Sequence, residues 1–192
     1  MSEQQLSPVA LRIAAGLVIL LVVGVVVASQ LVGGDDTGSD TAADTGTTSG
    51  APRTGPVALV TVDAPEADSA ECRALTDALP DELPNAGDTL RRLPLAEPAP
   101  PATAAWGDQV REPVVLRCGL NRPAELTPTS SLRAIDDVQW LMVRGELAET
   151  WYVVDRGVYV ALTVPDHAGT GPLQEISATV GSTLAAAPVR TR

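Results

Sequence analysis

The sequence predicts an α+β domain, an antiparallel β-sheet of about five or six strands with two helices on one face, set behind an N-terminal transmembrane helix and a disordered linker. Three observations predict it. In the second half of the chain apolar residues recur at every second position, the period of a β-strand. Around Cys72, and again after Pro172, they recur every three to four positions, the period of an amphipathic helix. The run Ile13 to Val32 is twenty residues without a charge, nearly all of them aliphatic.

That run decides where the rest of the chain goes. At about 1.5 Å per residue it covers about 30 Å, the thickness of a bilayer's hydrocarbon core. Arg12 leads it, Asp35 and Asp36 trail it, and no basic residue follows until Arg53. Basic flanks stay on the cytoplasmic side, so residues 1–12 are expected inside the cell and everything after Val32 outside it. The competing reading is a secretory signal cleaved near Ala28, because Val26 and Ala28 stand at peptidase spacing ahead of Ser29. The length of the run favours a retained anchor in the cell membrane, crossing it once. No Cys borders the run, which excludes a bacterial lipoprotein anchor.

Residues 33–56 are Gly, Asp, Thr, Ser and Ala with almost nothing apolar, too little to offset the entropy of ordering, and read as a flexible acidic stalk. From Val57 the composition changes, and residues 57–192 are long enough for one extracytoplasmic domain with a single core. The β-branched run Val57 to Val62 suits a first strand. A helix is expected next, begun by Asp68 three residues before Glu71, with Cys72, Leu75 and Leu79 on its buried face and Pro80 at its end. Thr89 to Leu95 reads as a second strand and Ala96 to Pro101 as a Pro-rich crossing closed by Trp106 and Gly107. Val114 to Cys118 reads as a buried strand ending at Gly119.

The strand pattern is clearest after that. Val138 to Val143, Trp151 to Val154 and Val158 to Val164 are strands, the last two joined by a tight turn at Asp155, Arg156 and Gly157. Along the last strand Val158, Val160, Leu162 and Val164 share one face and Tyr159, Ala161 and Thr163 the other. Pro172 opens a final helix, where its missing amide is harmless, and Leu173, Ile176, Val180 and Leu184 follow at helical spacing.

The chain has two Cys, Cys72 and Cys118, both on the expected oxidising side of the membrane, and one disulfide between them would staple the first helix to the sheet. The alternatives are two buried free thiols or a zinc site. Zinc asks for four ligands, and His167 is the one His in the chain. No metal or cofactor is expected.

Net charge is -11, and from Val57 onward 11 Arg against 19 Asp and Glu leave -8. Such a surface excludes nucleic acid as a partner, because phosphate binding needs a basic stripe. Lys and Phe are absent while Ala, Val, Pro, Gly and Asp are heavily used, which reflects a GC-rich coding sequence more than chemistry.

Several residue sets are of types that carry chemistry. His167, beside Asp166, would serve a hydrolase with Ser130 or Ser131 as nucleophile, but no strand, tight-turn, helix elbow surrounds either Ser. Asp136 with Asp137, and Glu146 with Glu149, are adjacent acids of the kind common on acidic surfaces; without a cleft to raise one pKa they face water. Trp140 alternates with apolar neighbours and is expected in the core, and Trp151 belongs to a strand. Trp106, at the end of the crossing, either docks on the core or is exposed to a partner. Arg117, Arg122, Arg144 and Arg156 lie near strand ends and turns, where ion pairs with the abundant acids explain them; clustered on one face they would make an anionic-ligand site. The candidate interaction surface is Trp106, Arg122 and Arg156.

Read together, Cys72 with Leu75 and Leu79-Pro80, the Trp106-Gly107 pair, Leu116-Arg117-Cys118-Gly119, Arg122-Pro123, Val138 to Leu141, Trp151, Asp155-Arg156 and Tyr159 to Pro165 resemble the actinobacterial domain of unknown function 3515 family. The resemblance runs from Val57 to Pro188. It implies a membrane or secreted protein and brings no activity with it. The expected function is therefore a membrane-anchored, non-catalytic module binding an envelope protein or cell-wall component. A cell-envelope hydrolase or transferase is the first alternative, and a small-molecule or lipid carrier with an enclosed apolar cavity is the second.

Overall fold

The computed structural model describes residues 55–191. The expected membrane helix, 13–32, lies outside the described residues, as does the expected stalk except for Gly55 and Pro56. Among the described residues no helix is long and apolar enough to cross a membrane.

Helix α1 is Ala70–Ala78. Its cap is Ser69, one residue after the expected Asp68, because the Ser69 hydroxyl accepts from the Cys72 amide at 3.1 Å. Cys72 and Leu75 are its buried residues, and the extended backbone at Leu79 followed by Pro80 stops it.

Eight strands follow, where five or six were expected: β1 Glu82–Asn85, β2 Asp88–Arg92, β3 Thr103–Gly107, β4 Val114–Leu120, β5 Leu132–Ile135, β6 Val138–Arg144, β7 Ala148–Val153 and β8 Tyr159–Pro165. Helix α2, Gly171–Thr183, closes the chain. The strands form one sheet in the order β1-β2-β3-β4-β8-β7-β6-β5, antiparallel at every pairing. It is two four-stranded meanders, β1 to β4 and β5 to β8, joined edge to edge where β4 meets β8.

The differences from the sequence reading have local causes. Strand β1 carries Pro84 in its middle, which only an edge strand tolerates, and β1 is an edge. Strand β3 is Thr-Ala-Ala-Trp-Gly, so Trp106 closes no irregular crossing but sits inside a ladder, paired with Val114 on one side and Arg92 on the other. Strand β5 is hidden by its turn. Asp136 and Asp137 take φ of 47° and 59°, the left-handed pair that a two-residue hairpin of this twist requires and that Asn-Gly usually signals. Conversely, Val57 to Val62 is not a strand. Val57 alone bridges Leu95, and the segment passes over the sheet because β4, beneath it, is already paired on both sides by β3 and β8.

Helix α2 touches β1 at one edge of the sheet, β8 at the middle and β6 near the other edge, and one helix reaches all three only if the sheet curls around it. Leu173, Ile176, Val180 and Leu184 meet Cys72, Leu75 and Leu79 of the α1 segment in one inner core with Trp106, Trp140 and Trp151. The entry to α2 is fastened to β1. The Gly169 amide donates to Asn85 Oδ1 at 2.6 Å, and a Cβ on Gly171 would stand 2.3 Å from the Pro84 carbonyl oxygen. On this inner face Trp140, Val153, Val160 and Cys118 stand in register across β6, β7, β8 and β4.

The disulfide is formed: Cys72 and Cys118 are bonded with Cα atoms 5.6 Å apart, joining α1 to the middle of the sheet. Closing a loop of this length stabilises by about 4 kcal/mol in the chain-entropy model.

The outer face is buried differently, under irregular segments. Val57 and Leu59 lie on Leu93, Ala105 and Val115, while Leu126 of the β4–β5 crossover and Val189 of the C-terminal tail lie with Leu141, Val154 and Tyr159. Gly119 lets the first of these segments approach. Its φ is +85°, the β4–β8 register shifts between Cys118 and Leu120, and its carbonyl accepts from the Glu66 amide at 3.0 Å. A Cβ there would stand 2.2 Å from the Ala67 nitrogen. Gly119→Ala is therefore expected to lower stability by about 3 kcal/mol or more in urea denaturation, from backbone strain plus displacement of residues 66 and 67.

Candidate ligand-binding cleft

The pairing of β4 with β8 fixes a second register on the outer face. Arg117 stands opposite Ala161, Ala161 opposite Tyr152, and Tyr152 opposite Leu141, across β4, β8, β7 and β6. Two long polar side chains thus flank a methyl group, with backbones two strands, about 10 Å, apart. The small Ala161 leaves a cleft of about 350 Å³ between them, closed at one side by Thr150 and Thr163 and at the other by Asn121 and Glu125.

Its electrostatics are unusual for so acidic a domain. The Arg117 guanidinium is half-buried and makes no ion pair among the described residues. One Nη donates to the Val60 carbonyl at the long distance of 3.5 Å, and Nε is shielded from solvent without an acceptor among the described residues. Burial pushes the guanidinium pKa down, and the Tyr152 phenol partly offsets that. Tyr152 moves the other way: burial and the Glu125 carboxylate push its pKa up, against the pull of Arg117. The phenol therefore keeps its proton at neutral pH and remains a donor. The Thr150 and Thr163 hydroxyls lie 3.2 Å apart, and the Asn121 amide donates to Asp63 at 2.6 Å. A neighbouring hollow, lined by Arg122, Tyr159 and Arg190, shares Leu120 and Asn121 with this cleft.

Of the expected interaction surface, only Arg122 reaches this face as an exposed side chain, and its Nη1 donates to the Leu126 carbonyl at 2.7 Å, holding the crossover loop. Trp106 is 0% exposed; its indole nitrogen donates to the Pro80 carbonyl at 2.9 Å and Arg92 lies over its ring, so it docks on the core. Arg156 is 4% exposed. It pairs with Asp155 at 2.9 Å and donates to the Asp137 carbonyl at 3.2 Å, while the Asp155 carbonyl accepts from Ala187, so the pair ties two hairpin turns to the tail. These three residues form no common surface, because two of them are consumed by packing.

The candidate catalytic residues do not converge. His167 and Ser131 are exposed, and Ser130 is occupied inside its loop, its hydroxyl donating to the Glu125 carbonyl and accepting from the Thr127 amide. Asp136 and Asp137 are the central residues of a turn. Glu146 is exposed, and Glu149 pairs with Arg144 at 2.6 Å. That last pair lines an open groove of about 630 Å³ on the inner side, with Met142, Trp151 and Leu173 as its apolar part. Among the described residues no group of three or more His, Cys, Asp or Glu is placed to hold a metal ion.

Sequence reasoning does not single out Tyr152, Thr150, Thr163 or Ala161 as a site, and the one signal available is the Tyr159, Ala161, Thr163 face of β8, partly polar where its opposite face is wholly aliphatic. Fold and cleft define a curled, disulfide-closed α+β domain with a ligand-sized hollow on its outer face. The chain belongs to the family described as protein of unknown function (DUF3515), whose model matches residues 15–189 and so begins within the apolar run. No curated protein and no solved structure matches it.

Arg156→Ala is expected to destabilise the purified chain by about 3 to 5 kcal/mol in urea denaturation, since it leaves the Asp155 carboxylate buried and unpaired. Arg122→Ala is expected to cost about 1 kcal/mol, the loss of one hydrogen bond to an exposed loop.

Proposed function

We propose that the protein is a single-pass, membrane-anchored binding module of the cell envelope, with residues 1–12 in the cytoplasm, 13–32 in the membrane and the folded domain outside. The observation that carries the binding role is Arg117, a half-buried cation that makes no ion pair among the described residues, in a cleft of ligand size. A protein seldom desolvates a charge without giving it a partner, and a partner missing from the fold is one that arrives from outside. The dispersal of His167, Ser130 and Asp136 among solvent, loop and turn supports a non-catalytic role. The disulfide supports an oxidising compartment, and the uncharged run supports the anchor. The hollows described are open clefts, so a carrier with an enclosed cavity is the less supported reading.

Two measurements test this together. Protease added to intact cells is expected to remove the C-terminal domain, and Cys72 and Cys118 in native material are expected to resist alkylation until reduced; a protected domain or two reactive thiols would contradict the placement. In a strain lacking the protein, His167→Ala and Asp137→Asn are expected to complement as wild type at equal abundance. Loss of function in either at normal abundance would replace the binding reading with a catalytic one.

A further inference from the structure

Resting on the binding-module reading, the chemistry of the outer-face cleft narrows what it binds. Arg117 is not the one unpaired charge there. Glu125 lines the same hollow, and its carboxylate makes no ion pair among the described residues. A cation and an anion share one cleft without meeting, and the Tyr152 phenol is the electrostatic neighbour of both. The third charged group, Asp63, is already engaged by the Asn121 amide.

We propose that this cleft binds a small zwitterion, a free amino acid or short peptide, with its carboxylate on the Arg117 guanidinium and the Tyr152 hydroxyl and its ammonium on Glu125. The guanidinium offers several N–H donors in a planar array suited to a carboxylate, and Tyr152 supplies one more. In the Thr150 and Thr163 pair one hydroxyl donates to the other, which leaves the acceptor's own proton free for the ligand. Other simple ligands leave a charge uncompensated. A plain carboxylate satisfies Arg117 and is repelled by Glu125, an amine does the reverse, and a phosphate dianion brings twice the charge of a carboxylate against Glu125 with one guanidinium to meet it. A volume of about 350 Å³ stands at the small end of ligand sites, the size of one or two residues of peptide. Ala161 sets that volume, since it is the side chain between Arg117 and Tyr152 on the strand that separates them.

The test titrates the purified full chain in detergent micelles with glycine, diglycine, acetate, methylamine and inorganic phosphate, followed by amide chemical shifts of β4, β7 and β8. Glycine or diglycine is expected to bind at least about tenfold more tightly than acetate, methylamine or phosphate, the value of one added charge-assisted contact. Arg117→Gln is expected to weaken zwitterion binding about tenfold, Glu125→Gln to bring acetate to within about threefold of glycine, and Ala161→Val to weaken zwitterion binding about tenfold by narrowing the cleft between Arg117 and Tyr152, each with an unchanged disulfide and unfolding midpoint. Acetate or phosphate binding as tightly as glycine would overturn the proposal in favour of a simple anion site. So would folded Arg117→Gln and Glu125→Gln variants that bind as wild type, or a wild-type chain that binds none of the five probes. That last result leaves the membrane placement and the complementation outcomes standing, so the two readings fail separately.

Discussion

The antiparallel pairing of β4 with β8 is the contact through which two meanders become one sheet, and almost everything else is referred to it. These are the two central strands, far apart in sequence, and each is buried on both faces. Strand residues alternate between faces, so their register decides at once which side chains enter the inner core and which line the outer cleft. In the register observed, Cys118 stands opposite Val160 on the inside and Arg117 opposite Ala161 on the outside. A slip of one residue would turn the cysteine away from α1 and bring the arginine into the apolar core.

The two faces then solve different problems. Inside, curvature does the work: the sheet wraps α2, α1 lies beside it, and the disulfide ties α1 to β4 where the pairing with β8 begins to shift. Outside, no helix among the described residues lies on the sheet, and three irregular segments cover the apolar patches. Where they leave the sheet bare the residues are polar: Arg117, Tyr152, Thr150 and Thr163 around a single Ala. Gly119 couples the faces, because the residue that follows the disulfide cysteine is also the one that admits the covering segment at Glu66 and Ala67.

How much of this the sequence carried depended on whether a feature was local. Both helices, strands β2, β4, β6, β7 and β8, the β7–β8 hairpin and the Cys72 to Cys118 staple were legible from periodicity and cysteine arithmetic. The loop around Asp155 and Arg156 is longer than the expected tight turn, Val153 being the last residue of β7 to pair, opposite Val160. Strand β1 was masked by Pro84, β3 by two alanines of low strand preference, and β5 by a turn of two aspartates in a conformation that glycine or asparagine normally supplies. Val57 to Val62 misled in the opposite direction, since β-branched residues favour extended backbone whether or not a strand edge is free to receive them. The cleft was the least legible. Arg117 stood out as a charge near a strand end, but its alignment with Ala161 and Tyr152 comes from pairing between distant strands, for which no short stretch of sequence holds a signal. Trp106 and Arg156, conspicuous as residue types, proved to be packing groups.

The account therefore stands on one register, and nuclear Overhauser effects between backbone protons of β4 and β8 in the purified chain read it directly. Contacts linking Leu116 with Leu162 and Arg117 with Ala161 are the predicted result. Contacts displaced by one residue, or none between these strands, would contradict it, since neither the disulfide geometry nor the cleft between Arg117 and Tyr152 survives that change.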